Sequence, residues 1–245
     1  MQLIVTRPET DAAHLVEKLA SKGHQVLSAP MISIAYFDDV SIPQAEWQAI
    51  LVTSANSVRA LERLGAHRPL LSTPVLAVGP ASTEAAQSAG FETVHNANGD
   101  LSALSQLASS MLEPGAGPLL YPSGTRISGD LKGQLEALGY ACTRLPLYDA
   151  VAADGIPGNV ARPIRSGQID GVLLYSPRTA KNWASCTAKD AATDELQHVT
   201  HWCLSEAVAV ALLNAWSGTA LPPVQTPPEP NETSIIEAIC AESEG

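Results

Sequence analysis

The chain has 245 residues, with hydrophobic side chains at 45%, charged ones at 16% and aromatics at only 4%. That is enough apolar material for a sizeable core built from Leu, Val, Ile and Ala, and it excludes disorder. Acidic residues outnumber basic ones by 25 to 14, giving a net charge of -11 without any Lys/Arg cluster, which argues against a nucleic-acid or anionic-membrane partner. In chain order, Leu3–Thr6 predicts a strand and Asp11–Ser21 a helix; Ile50–Thr53 and Asn56–Leu64 repeat that pair, as do Val75–Val78 and Ser82–Ala89. A helix follows over Leu101–Leu112, then strand Leu119–Tyr121 and helix Ile127–Leu138. Strand Gly171–Tyr175 precedes helix Thr179–Ser185, and strand Val199–Leu204 precedes helix Glu206–Trp216. Strand and helix alternating at this spacing make a parallel sheet with helices on its faces, and strand runs without polar alternation suit sheets covered on both sides.

The N-terminal stretch Met1–Pro8 reads as a buried strand rather than a signal peptide. The longest strictly apolar run, Ala207–Leu213, is far below the ~20 residues of a spanning helix. Cys142, Cys186, Cys203 and Cys240 form no CxxC pair, so reduced thiols in a cytoplasmic protein are expected, three of them as core filler.

An internal repeat organises the chain. A shift of 116 positions carries Leu3, Leu15, Leu19, Gly23 and Pro30 onto Leu119, Leu131, Leu135, Gly139 and Pro146. Further along, Ile50–Ser54 matches Val172–Ser176, Val75–Gly79 matches His201–Ser205, and Asn98–Ser102 matches Pro230–Ser234, each of the last pair opening a final helix. Two copies of an α/β module explain this better than one large sheet. The helix-free stretches Ser28–Val40 and Tyr148–Pro157 occupy the same place in both copies and read as connectors between lobes. Leu221–Pro230, with five prolines, reads as a polyproline-like surface loop.

Several function classes are excluded by their missing motifs. No G-x-G-x-x-G follows a strand, Tyr121–Arg126 lacks the ending of a P-loop, and no G-x-S-x-G elbow occurs. His198, His201 and Cys203 lie on a run that reads as a strand, where side chains three apart point to opposite faces, so no metal site is expected.

The positive signal is a set of strand-to-helix turns built from small polar residues: Thr6-Arg7-Pro8, Thr53-Ser54-Ala55-Asn56, Gly79-Pro80-Ala81-Ser82-Thr83, Ser123-Gly124-Thr125-Arg126, Ser176-Pro177-Arg178-Thr179 and Ser205-Glu206. In a parallel sheet such turns lie at the carboxyl ends of strands, where ligands bind, and helix N-termini with adjacent hydroxyls suit carboxylates or phosphates. Plain N-capping accounts for any single turn; the whole set makes a polyanion cleft competitive. Arg7, Arg126 and Arg178 stand at these turns either as ligand contacts or as surface ion pairs.

These turns, in this order, resemble uroporphyrinogen-III synthase. The resemblance is carried by Val5–Pro8, Leu51–Asn56, Val78–Thr83 with Ala89-Gly90, Gly99–Leu104, Leu120–Arg126, Pro146-Leu-Tyr148 and Leu174–Pro177, and it covers nearly the whole chain. It implies an α/β fold of two flavodoxin-like parallel-sheet lobes joined by two extended connectors, with the active site between them. The first lobe, 1–36 with 151–245, is discontinuous; the second is 37–150. The family cyclises hydroxymethylbilane, a linear tetrapyrrole with eight carboxylates, to uroporphyrinogen III in heme biosynthesis. The terminal hydroxyl leaves and ring D is inverted through a spiro intermediate, without cofactor or metal. The resemblance makes Tyr148 the donor to the departing hydroxyl, unless it merely anchors a strand end. It makes Thr53, Ser54, Ser176 and the Gly79–Thr83 turn carboxylate contacts, with Arg7, Asn56, Ser123, Gly124, Arg126, Pro177, Arg178 and Ser205 beside them. The family often repeats a Gly-Pro-x-Thr turn in its second half; Ser205-Glu206-Ala207-Val208 stands there instead, and Glu206 would repel a carboxylate unless it points away. A monomeric cytoplasmic enzyme with a small-molecule substrate is expected. The alternatives are a non-catalytic two-lobed cytoplasmic binding protein for a small anion, and a sugar-nucleotide transferase, whose acidic metal motif and Gly-rich loop are both missing.

Overall fold

The computed structural model describes residues 1–243. In chain order the strands are β1 (Gln2–Val5), β2 (Gln25–Ser28), β3 (Ile32–Tyr36), β4 (Ala49–Val52), β5 (Val75–Ala77), β6 (Val94–Asn96), β7 (Leu119–Gly124), β8 (Cys142–Ala152), β9 (Gly171–Leu174), β10 (Thr200–Cys203) and β11 (Val224–Gln225). The helices are α1 (Glu9–Ser21), α2 (Ala55–Arg63), α3 (Pro80–Ser88), α4 (Leu101–Met111), α5 (Leu131–Ala137), α6 (Gly158–Arg165), α7 (Pro177–Lys189), α8 (Glu206–Ala215) and α9 (Glu232–Ser243). The chain divides into two compact units, Met1–Ser33 with Val151–Gly245, and Ile34–Ala150.

Each unit carries one sheet. The first has the order β11-β10-β9-β1-β2 and the second β3-β8-β7-β4-β5-β6. The repeat is visible in the registers: Leu3 pairs with Val26 in β1–β2, and Leu119 pairs with Cys142 in β7–β8, both partners displaced by the same 116 positions. Gly23 and Gly139, also one repeat apart, follow α1 and α5 with φ of +85° and +90°. A glycine is favoured there because side-chain-bearing residues are strained at positive φ. At the edge of the second sheet, β3 lies beside β8; Phe37 N–H donates to the Leu147 carbonyl, and Ala153 N–H to that of Met31. Ser28–Val40 is thus an extended strand over part of its length, and the start of Tyr148–Pro157 completes β8.

Both faces of each sheet are covered, which is why the strand sequences do not alternate. Val172 and Leu174 join the cluster of Trp183, Leu196 and Leu212, while Leu173 faces Leu15, Leu19 and Ile239. Likewise Ile50 and Val52 pack with Val58 and Leu61, and Leu51 packs with Leu104 and Leu131 on the other face.

Five readings of the elements are corrected. Helix α5 begins at Leu131, not Ile127, because the Asp130 carboxylate accepts the Gly133 N–H at 2.9 Å and caps the helix there. Strand β7 runs on to Gly124, so Ser123 and Gly124 belong to a strand and not to a helix start. Helix α7 continues to Lys189, and α6 escapes the sequence reading because Pro163 lies inside it; Val160 and Ile164, buried on one face, hold it in place. The proline-rich Leu221–Pro230 loop contains β11, whose Val224 pairs with His201.

His201 is fully buried and His198 is exposed, as the core-or-edge reading required. Among the described residues no group of His, Cys, Asp and Glu is placed to hold a metal ion, and no helix is long and apolar enough to cross a membrane.

Candidate functional site

In a parallel sheet every strand ends on the same edge, so the turns after β4, β5 and β7 gather at one edge of the second unit, with the end of β8. Ser54 caps α2, its hydroxyl accepting the Asn56 N–H at 3.2 Å. Thr53 Oγ1 lies 3.4 Å from the Tyr121 hydroxyl, and burial pushes the Tyr121 phenol's pKa upward. The Asn56 side-chain oxygen accepts from the Tyr36 hydroxyl at 3.2 Å and from Arg59 Nη1 at 2.8 Å, so that carbonyl is committed within the chain.

Helix α3 has Gly79 at its N-cap without a side-chain cap. Pro80 has no N–H, so Ala81 and Ser82 present the first backbone donors at an open, positive helix end. The Ser82 side chain is buried, and the Thr83 hydroxyl donates to the Gly79 carbonyl at 3.0 Å. This turn therefore offers backbone N–H groups rather than the hydroxyls that its composition suggests.

Strands β7 and β8 part from regular pairing at their ends. Ser123 pairs with Pro146, but Gly124 pairs with Tyr148, so Leu147 is the extra residue of a bulge. Neighbours on a regular strand face opposite sides; the bulge puts Leu147 and Tyr148 both in the apolar cluster of Ile50, Val52 and Val58. Tyr148 is 8% exposed, its ring 6.2 Å from that of Tyr36, and its hydroxyl makes no hydrogen bond among the described residues. The buried Ser123 hydroxyl donates to the Gly124 carbonyl at 3.1 Å and accepts from Arg144 Nε at 3.0 Å. Arg126 is exposed in the irregular stretch between β7 and α5.

The first unit carries the other predicted residues on the carboxyl edge of its own sheet. Ser176 caps α7, its hydroxyl accepting the Thr179 N–H at 3.1 Å and lying 2.8 Å from the Thr179 hydroxyl; Pro177 is the first helical residue and Arg178 the second. Ser205 precedes α8 without a side-chain cap, and Glu206 is exposed at its first turn. Arg7 is tied down: Nη1 lies 3.0 Å from Glu232 Oε2, and its guanidinium sits 4.8 Å from the centre of the Tyr175 ring. Lys18 takes the other Glu232 oxygen at 3.2 Å. Burial pushes the Tyr175 phenol's pKa upward, and its hydroxyl has no hydrogen-bond partner among the described residues. Sequence reasoning missed Arg144, Tyr121 and Tyr175. Only the position of Tyr175 one residue before Ser176, matching Thr53 before Ser54, signalled any of them.

No curated protein sequence matches the chain. In fold it is similar to a mutant uroporphyrinogen III synthase from the extremely thermophilic bacterium Thermus thermophilus, with 18% identity and a TM-score of 0.52 over 100% of this chain and 99% of that one. It is also similar to the uroporphyrinogen-III synthetase of Helicobacter pylori, with 13% identity and a TM-score of 0.65 over 98% of this chain and 99% of that one. The family model described as uroporphyrinogen-III synthase HemD matches residues 13–237. With that match spanning most of the sequence, the chain belongs to the uroporphyrinogen-III synthase family.

Proposed function

We propose that the chain is a cyclising lyase that converts hydroxymethylbilane to uroporphyrinogen III, with Tyr148 assisting departure of the terminal hydroxyl. The observation that carries the role of Tyr148 is its placement: a bulge turns a nearly buried phenol onto the edge that bears the α2 and α3 N-termini, with its hydroxyl unbonded among the described residues. A phenol can pass its proton to the leaving oxygen as the carbon–oxygen bond breaks, so that the oxygen departs as water, and the proton that the pyrrole carbon loses on ring closure restores the phenol. In the second unit, carboxylates suit the open N-terminus of α3 and the capped turn at Ser54, where backbone donors stabilise negative charge without a titrating base; in the first unit, the α8 N-terminus and the Ser176 turn offer donors of the same kind. Holding the chain ends of the bilane together supplies proximity, which lowers the barrier to ring closure.

The test is conversion of hydroxymethylbilane by the purified protein, with the uroporphyrinogen isomers separated after oxidation. The type III isomer is expected; product that is wholly the spontaneous type I isomer refutes the reading. Tyr148→Phe is expected to slow turnover by ~10-fold to ~1000-fold while leaving product affinity nearly unchanged. Unchanged turnover would make Tyr148 a structural residue.

A further inference from the structure

We infer that Gly124 and Arg144 are positioning residues for Tyr148, which together fix where its phenol points. The inference rests on the reading of Tyr148 as hydrogen-bond donor to the departing hydroxyl. A Cβ added to Gly124 would stand 2.9 Å from Tyr148 Cε2 and 3.2 Å from Cζ, the carbon that carries the hydroxyl. The first distance is closer than side-chain carbons approach one another, so any side chain at position 124 would force the phenol ring to shift. The ring also meets Tyr36, with centroids 6.2 Å apart.

Arg144 holds the β7 backbone in that position. Its Nη2 donates to the carbonyls of Gly124 and Thr125, both at 2.7 Å, and its Nε donates to the Ser123 hydroxyl at 3.0 Å. Three successive residues of the β7 end are thereby fixed by one planar guanidinium, a geometry that a lysine ammonium does not reproduce. The same stretch is tied to β8 by the Thr125 N–H, which donates to the Tyr148 carbonyl at 2.9 Å, and by the Thr125 hydroxyl, which donates to the Asp149 carboxylate. The bulge turns Tyr148 onto this face, Gly124 leaves room for it and Arg144 keeps that room from shifting. Gly124 thus acts on the reaction through the phenol and not as a ligand contact.

A double-mutant cycle on the full chain tests this, with steady-state kinetics on hydroxymethylbilane and thermal melting of every variant. Gly124→Ala is expected to lower kcat by ~10-fold or more with KM changed by less than ~3-fold. Added to Tyr148→Phe, the same change is expected to lower kcat by less than a further ~3-fold, because no hydroxyl remains to be misplaced. Equal losses in both backgrounds overturn the inference, and so does a loss in KM alone. Arg144→Gln gives the same test if Gly124→Ala no longer melts cooperatively: a kcat loss that disappears in the Tyr148→Phe background is expected, and an additive loss refutes the role. If Tyr148→Phe is itself fully active, the reading of Tyr148 fails. If it is slow while Gly124→Ala and Arg144→Gln retain full kcat, the positioning role alone fails.

Discussion

Lowering the pH from 7 to 4 should unfold this protein partly through one histidine in the core of the first unit. His201 is 0% exposed, and Trp183 Nε1 lies 3.1 Å from its Nε2. An indole nitrogen only donates, so Nε2 must accept, and the ring proton sits on Nδ1, which donates to the Val199 carbonyl at 2.9 Å. A second proton on Nε2 would face the indole N–H in a fully buried site. Burial accordingly lowers the His201 pKa from 6.5 to about 4. The folded pKa is depressed, so the unfolded chain takes up the proton first. The associated stability is fully present above about pH 6.5, drains away as pH falls, and changes no further below the folded pKa of about 4. At 1.36 kcal/mol per pH unit, that window amounts to about 3 kcal/mol, a large share of a typical stability. Urea unfolding at a series of pH values, for the natural chain and for His201→Gln, isolates this contribution. Glutamine can still accept from Trp183 and donate to Val199, but it does not titrate. Carboxylates elsewhere titrate alike in both proteins and cancel in the difference. The natural chain should lose about 3 kcal/mol more than the variant between pH 7 and 4. Parallel curves would show that His201 is not a neutral acceptor, and the account of this core would be wrong.

The remaining expectations concern the turns. Ser176→Ala should lower stability by about 1 kcal/mol, because it removes the α7 cap, whereas Ser205→Ala removes no cap bond and should cost only a few tenths; urea unfolding distinguishes them. Arg7→Ala should lower the melting temperature, since the Tyr175 ring loses its cation and Glu232 keeps only Lys18, while Arg126→Ala should leave melting unchanged and weaken product binding. A product affinity unaffected by Arg126→Ala removes that residue from the site. Raising salt from low to moderate concentration should change product affinity little, because a chain of net charge -11 repels a polyanion at long range and holds it by short-range donors. A steep loss of affinity with salt would instead assign binding to a few exposed cations.

What the sequence disclosed was whatever hydrophobic spacing and turn chemistry encode locally. The β1–β2 and β7–β8 pairs, their shared 116-residue offset and the glycines that end α1 and α5 follow from Leu3, Leu15, Leu19 and Gly23 and their counterparts. Ser54 and Ser176 were readable as caps because the side chain and its partner N–H lie within three residues. What stayed hidden depends on distant partners. Arg144 reads as an ordinary strand arginine until its bonds to residues about twenty positions earlier are seen. The bulge at Leu147 has only an indirect trace in Pro146, which has no N–H for the ladder, and nothing in the sequence shows that it decides which face Tyr148 occupies. The hydroxyls of Ser123 and Thr83 look available in the sequence and prove to be spent inside the chain.

The repeat and the two units do not coincide, and this determines how the candidate site is assembled. The first repeat gives β1, α1 and β2 to one unit and β4, β5 and β6 to the other; the second gives β7, α5 and β8 to that other unit and β9, β10 and β11 to the first. The sheet order β11-β10-β9-β1-β2 and the run β6-β5-β4-β7-β8, which β3 extends at the edge, are therefore the same arrangement, each drawn from both repeats. In the second unit, Ser54 and the α3 N-terminus come from the first repeat, whereas Gly124, Arg144 and Tyr148 come from the second. Neither repeat alone brings the phenol to the edge that carries the turns proposed to hold the substrate carboxylates. The pairing of β4 with β7, Ala49 with Leu119 and Ile50 with Leu120, does so. Closing that pair means bringing residues about 70 positions apart together before any local contact rewards it, an entropic cost that buried Leu119 and Leu120 must offset. The chemistry proposed for Tyr148 thus depends on a long-range strand pairing whose own residues never touch the substrate.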